Sequence, residues 1–150
     1  MPLLNYTTEI DAEKTIAEIQ KILAAHGARA ILTEYDDNGY IVALSFKIPV
    51  GDHEIGFKLP SDWRPVLQVL EKQRVERRYR SQEQALRVSW RIIKTWVEAQ
   101  MAIVETKMVT LDQVFLPYVV TDSGQTLYDR LKATNFLLPP GAPKRDHPNH

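Results

Sequence analysis

Between residues 12 and 26 the apolar positions Ile16, Ile19, Ile22 and Leu23 recur every three or four residues, the spacing of one helical face. Glu13, Lys14, Glu18 and Lys21 fall mostly outside that stripe. Asp11 suits the N-cap and Gly27 the stop after His26. From residue 29 to 59 the period shortens from about 3.6 to 2, which is strand alternation. Asp36-Asp37-Asn38-Gly39 predicts a hairpin with Asn38-Gly39 as its two-residue turn, since both central residues there need positive φ. Pro49-Val50-Gly51-Asp52 predicts a second turn. With Asn38-Gly39 at the turn, Ile31, Thr33 and Tyr35 fall opposite Phe46, Leu44 and Val42, and Ile55, Phe57 and Leu59 share their face. The other face carries Glu34, Ser45, Lys47, Glu54, Gly56 and Lys58, with Lys47 and Glu54 as the expected cross-strand pair.

The second half reads as helical. Pro60-Ser61-Asp62 ends the sheet and caps a helix through Val66, Leu67, Val69 and Leu70. Residues 72–80 continue that helix or form a polar elbow. A long helix follows from about Gln82 to Lys107 with two adjacent apolar stripes. One is Ala85, Val88, Ile92, Trp96, Ala99 and Ile103; the other is Leu86, Trp90, Ile93, Val97, Met101 and Val104. So wide an apolar arc belongs to a central helix covered on more than one side. Thr110 opens a short helix that Pro117 terminates, residues 121–124 turn, and 125–133 form a last short helix. The expected fold is α+β: an N-terminal helix, a three-stranded antiparallel meander, then a mainly helical half with one long central helix. One domain is expected over residues 1–138, with a proline-rich, disordered tail over 139–150.

Composition narrows the chemistry more than the fold. The balance of 44% hydrophobic and 25% charged residues is that of a globular chain. Without cysteine there are no disulfides, thiolate ligands or thiol nucleophiles. Residues 1–6 lack a signal-peptide pattern and no apolar run is long enough for a span, so the expected location is the cytoplasm of a bacterial host, off the membrane. The zero net charge is a cancellation. Residues 1–62 hold ten acidic and five basic side chains; residues 63–94 hold three and nine.

Catalytic templates are missing: no glycine-rich phosphate loop, no Gly-x-Ser-x-Gly and no His-Glu-x-x-His. Asp36–Gly39 lacks the alternate spacing of a calcium loop. Asp52-His53-Glu54 and the group Glu34, Asp36 and Asp37 sit on turns at opposite ends of a meander and should not converge on one substrate atom. His26, at a helix C-terminus, has a stabilising position against the helix dipole. His147 and His150 lie in the tail, a poor metal site. No catalytic residue, metal site or cofactor is assigned, and the chain is read as non-enzymatic.

What stands out is basic. Arg74, Arg77, Arg78, Arg80, Arg87, Arg91 and Lys94 are the candidate binding residues. Along the long helix Arg80, Gln84, Arg87, Arg91 and Lys94 recur at helical spacing, a cationic ridge on the face the apolar stripes leave open, with Tyr79 and Trp90 as stacking surfaces. Arginine's planar fork grips phosphate oxygens in pairs, and each neutralised phosphate releases counterions. Three readings stay open: a ridge solvated or paired with the acidic first third, nucleic-acid binding, or an acidic protein partner.

Two resemblances bear on this. The order helix, three antiparallel strands, helix over roughly residues 11–94 resembles a double-stranded-RNA-binding domain, as a topological analogy with an extra helix interposed at 62–78. The stretches Tyr6-Thr7-Thr8-Glu9-Ile10-Asp11-Ala12, Glu34-Tyr35-Asp36-Asp37-Asn38-Gly39, Ala99-Gln100-Met101-Ala102-Ile103-Val104-Glu105 and Phe115-Leu116-Pro117-Tyr118 resemble small uncharacterised proteins of bacteriophages and mobile elements. That resemblance implies a phage or prophage origin and carries no site residues. The expected function is a non-enzymatic accessory protein that binds nucleic acid or a nucleoprotein complex through residues 74–94, in a setting such as counteracting host defence. The alternative is an adaptor or inhibitor that engages a host protein through its acidic region or through Leu116-Pro117-Tyr118-Val119. The broad apolar helix leaves homo-oligomerisation open.

Overall fold

A computed structural model describes residues 1–137; the expected tail at 139–150, with His147 and His150, lies outside the described residues. The fold is α+β. Helix α1 (Ala12–Ala25) buries Thr15, Ile16, Ile19 and Leu23, the stripe its period predicts. Strands β1 (Ala30–Tyr35), β2 (Ile41–Val50) and β3 (His53–Lys58) form an antiparallel sheet in the order β1-β2-β3. Helices α2 (Trp63–Lys72), α3 (Gln82–Glu105), α4 (Leu111–Val114) and α5 (Leu127–Ala133) follow.

Both turns differ from their expected form. In the first, Asp36 N donates to Tyr40 O at 2.9 Å, so three residues, not two, cross the loop, and only Gly39 takes positive φ, at 81°. The Asp36 carboxylate accepts from Asn38 N and Tyr40 N at 3.0 and 2.9 Å, and this Asx turn holds the wider loop. The extra residue shifts the pairing to Tyr35 opposite Ile41. A bulge at Val42 then restores the expected register, with Thr33 opposite Leu44 and Ile31 opposite Phe46. The second turn is Gly51-Asp52 alone, between paired Val50 and His53, with Gly51 at φ 60°. Glycine first in a two-residue turn is the type II′ pattern. This places Lys47 opposite Gly56 and Glu54 opposite Pro49, so the expected Lys47–Glu54 pair does not form. The face survives because the slip is an even number of residues.

The core lies between the sheet and two helices. Leu44, Phe46, Phe57 and Leu59 meet Ile16, Ile19 and Leu23 of α1 and Trp90, Ile93, Val97 and Met101 of α3. Phe46 and Phe57 stack at 5.2 Å between centroids, and Phe115 stands edge-on to both at 5.7 and 6.2 Å. Trp90 is buried, its indole N–H donating to Ile41 O at 3.2 Å. Helix α2 packs on α3. The second apolar stripe of α3 is largely buried, whereas Ala99 and Ile103 at the end of the first are exposed.

The chain after α4 returns to the sheet. A 3-10 turn, Leu116–Tyr118, delivers Val119 opposite Phe57, and Val120 N donates to Gly56 O at 2.8 Å. These two valines close the outer edge of β3. Among the described residues no helix is long and apolar enough to cross a membrane.

Candidate functional site

The basic region divides into two environments. Helix α2 ends in a Schellman arrangement: Arg74 N donates to Glu71 O at 3.1 Å, and Val75 N reaches back to Leu70 O at 3.4 Å. The residue after the C-cap Gln73 must then be left-handed, a position glycine usually fills, and here Arg74 occupies it at φ 52°. A 3-10 turn, Arg77–Tyr79, leads to Ser81, whose hydroxyl caps α3 by accepting from Gln84 N at 3.1 Å. The reversal is therefore tight, and Lys72, Arg74, Arg77, Arg78 and Arg80 all lie exposed on it.

The N-terminal segment straps this elbow. Leu3 N donates to Gln73 Oε1 at 2.9 Å and Gln73 Nε2 donates to Met1 O at 3.1 Å. Tyr6 meets Tyr79 edge-on at 5.6 Å. Gln84 Nε2 donates to both Tyr6 O and Thr8 O, at 2.9 and 3.0 Å. The elbow cations are little neutralised. Arg78 pairs with Glu76 at 3.0 Å, both well exposed, while its guanidinium lies 4.6 Å from the Tyr79 ring centre. Among the described residues, Arg74, Arg77 and Arg80 have no carboxylate within 4.0 Å.

The ridge along α3 is different: its face is not open. Arg87 binds Glu83 at 2.8 Å and Gln84 Oε1 at 3.2 Å, and lies 3.7 Å from Asp11. Arg91 and Lys94 share Glu18 of α1 at 2.9 and 2.8 Å, and Lys94 also binds Glu98 at 3.1 Å. Their side chains are only 25, 20 and 18% exposed. Gln84, expected on the ridge, is 4% exposed and serves the strap. Trp90 is in the core and offers no stacking surface. Asp11 sits at the N-cap of α1 without capping it.

The shared carboxylate has a pH signature. The hydrogen bond from Lys94, together with its charge and the hydrogen bond and charge of Arg91, outweighs burial and holds Glu18 below its ordinary value of 4.5. The hydrogen bond to Glu18 in turn raises Lys94 above its ordinary 10.5 against burial. A lowered carboxylate pKa stabilises the fold above the ordinary value, and that contribution is lost as pH falls through the lowered one. Acid titration of folding stability is therefore expected to fall less steeply below pH 4.5 in Glu18→Gln than in the parent. Equal slopes would show that the bridge is not formed in solution.

The remaining candidates lie apart from one another. Asp36 and His53 lie at opposite ends of β2, and among the described residues no three His, Asp or Glu side chains group as for a metal. His26 Nδ1 lies 2.8 Å from Ile22 O and Nε2 3.0 Å from Glu105, joining the ends of α1 and α3. Of the apolar segment at 116–119, Tyr118 packs on Trp96 at 5.5 Å and Val119 pairs with Phe57; Leu116 and Pro117 remain exposed. Sequence reasoning missed the strap. Its one signal was Gln84, the uncharged member of the cationic row, next to the apolar Ala85. No family model matches the chain, and neither does a curated protein or a solved structure.

Proposed function

We propose that the chain binds nucleic acid by phosphate contacts from the α2–α3 elbow, through Lys72, Arg74, Arg77, Arg78 and Arg80. Arg87, Arg91 and Lys94 serve this reading as the fixed base of the elbow, since their charges are already spent on carboxylates. The observation that carries it is the exposure of Arg74, Arg77 and Arg80 without a partner carboxylate among the described residues, beside a helix whose other cations are all paired. Arg74 supports it further. A non-glycine residue in left-handed conformation costs roughly 1 kcal/mol, and such strain concentrates where a side chain is needed. The setting proposed is that of a phage or mobile-element accessory protein acting on nucleic acid or a nucleoprotein complex, with counteraction of host defence as one such role.

Binding to random-sequence duplex, measured over a series of salt concentrations, tests the elbow. Arg77→Ala with Arg80→Ala should lower the log–log salt slope by about 0.9 for each phosphate that is no longer neutralised. Arg91→Ala should leave it unchanged. Arg74→Gly should weaken binding while raising folding stability by up to about 1 kcal/mol, which separates binding from fold. A slope insensitive to Arg77 and Arg80, or no binding at low salt, would sink the reading.

A further inference from the structure

The two edges of the sheet are treated differently. Val119 and Val120 cover β3, but β1 has no such cover. Among the described residues no backbone group of Ala30–Tyr35 bonds outside the β1–β2 ladder. Exposed edges are ordinarily blunted by proline, lysine, a bulge or a covering loop. Strand β1, Ala-Ile-Leu-Thr-Glu-Tyr, has neither proline nor lysine and carries one charge, Glu34; the only irregularity lies at its Tyr35 end. On the open sheet face beside it, Leu32 is 60% exposed at a shallow groove of about 530 Å³ whose lining includes Ala30, Gly56 and Val120.

We infer that β1 pairs antiparallel with β1 of a second copy of this chain, centred on Leu32, to make one continuous sheet. Strand sequence and register argue for a copy of itself. A two-fold axis perpendicular to the sheet keeps each face on its own side, so paired positions must share parity, and a register centred on Leu32 does this. It sets Leu32 against the partner's Leu32 on the open face, covering the most exposed large apolar residue of the strand's regular part. On the opposite face it sets Ile31 against the partner's Thr33. It also brings charge to charge. Glu34 comes opposite the partner's Ala30, and Lys47 stands directly across from Ala30 on β2. The alanine methyl leaves that row open, so Glu34 and the partner's Lys47 can meet over it, twice by symmetry. Within one chain Glu34 reaches only Lys58, at 4.0 Å, with both side chains about half exposed. The pairing is independent of the elbow, so failure of one leaves the other standing.

The chain has no cysteine, so single cysteines report the register cleanly. Sedimentation of the whole chain across the micromolar range should show a mass rising from monomer to dimer. Under mild oxidation Leu32→Cys should give a disulfide-linked dimer and Thr33→Cys little, because facing residues of an antiparallel pair lie within disulfide reach. Glu34→Lys should weaken the dimer about tenfold, and Glu34→Lys with Lys47→Glu should restore it. Both positions are exposed and the single variant should keep the parent's circular dichroism. A monomer at every concentration overturns the pairing, even if β1 captures an unrelated peptide. Cross-linking through Thr33→Cys but not Leu32→Cys overturns the Leu32-centred register, as does a Glu34→Lys dimer of parental strength.

Discussion

Phe115→Ala is expected to destabilise the fold by about 3–5 kcal/mol, the usual cost of truncating a buried phenylalanine. The side chain is fully buried and touches three aromatic rings at once: Phe46 and Phe57 of the sheet, and Trp96 of α3 at 5.4 Å. None of these three rings belongs to its own segment, so the void would open where three elements meet and little can relax into it. The loss should also be uneven. Phe115 fastens the chain just before Val119 and Val120, so the Val120 amide bonded to Gly56 and the Leu127 amide bonded to Val119 should lose exchange protection ahead of α1. Urea unfolding with amide exchange measures both effects. Phe115→Leu, which keeps most of the volume, should recover the larger part of the loss. A uniform loss of protection would show that Phe115 serves the core generally and does not fasten this segment.

Gln84→Leu is the second large effect, about 2 kcal/mol, and its cause is polar. The replacement is similar in volume and helix-compatible, so neither packing nor propensity should dominate. What disappears is the pair of donors that satisfy Tyr6 O and Thr8 O, together with the acceptor for Arg87. Two carbonyls in a partly buried crevice then lack partners unless the N-terminal strap lifts away to find water. Lifting is the expected response, and it should expose residues 1–8 to proteolysis. The edge contact of Tyr6 on Tyr79 should go with it. Under the proposed function, nucleic-acid affinity should then fall even though no cation has been changed. Unchanged cleavage at residues 1–8 would mean that the strap does not depend on Gln84.

The helices and the faces of the strands were legible because they depend on periodicity and on local capping. The stripe of α1 and the span of α3 followed from spacing, and Asp62 and Ser81 cap the helices they precede. The hairpin was legible in place but not in form. Asn38-Gly39 has the composition of a two-residue turn, yet the Asp36 carboxylate competes for the backbone amides and wins a wider loop. The ridge from Arg87 to Lys94 was legible as a helical row, but whether such a row faces water depends on what packs beside it. Helix α1 lies there, and Glu18 turns two of those cations inward. The strap and Phe115 were not legible, because both join residues about 60 to 80 positions apart, a separation invisible to any local pattern.

The closure of β3 by Val119 and Val120 sets an order of events on the ribosome. At about 5–20 residues per second, some 3–12 seconds of synthesis separate Gly56 and Phe57 from the valines that pair with them. In that interval a nascent chain with its hairpins formed presents two unpaired strand edges, and the stacked Phe46 and Phe57 still await Phe115. The emerging polypeptide is thus most adhesive in mid-translation. Codons between those for β3 and α4 that slow elongation should lower soluble yield without altering one residue of the finished protein.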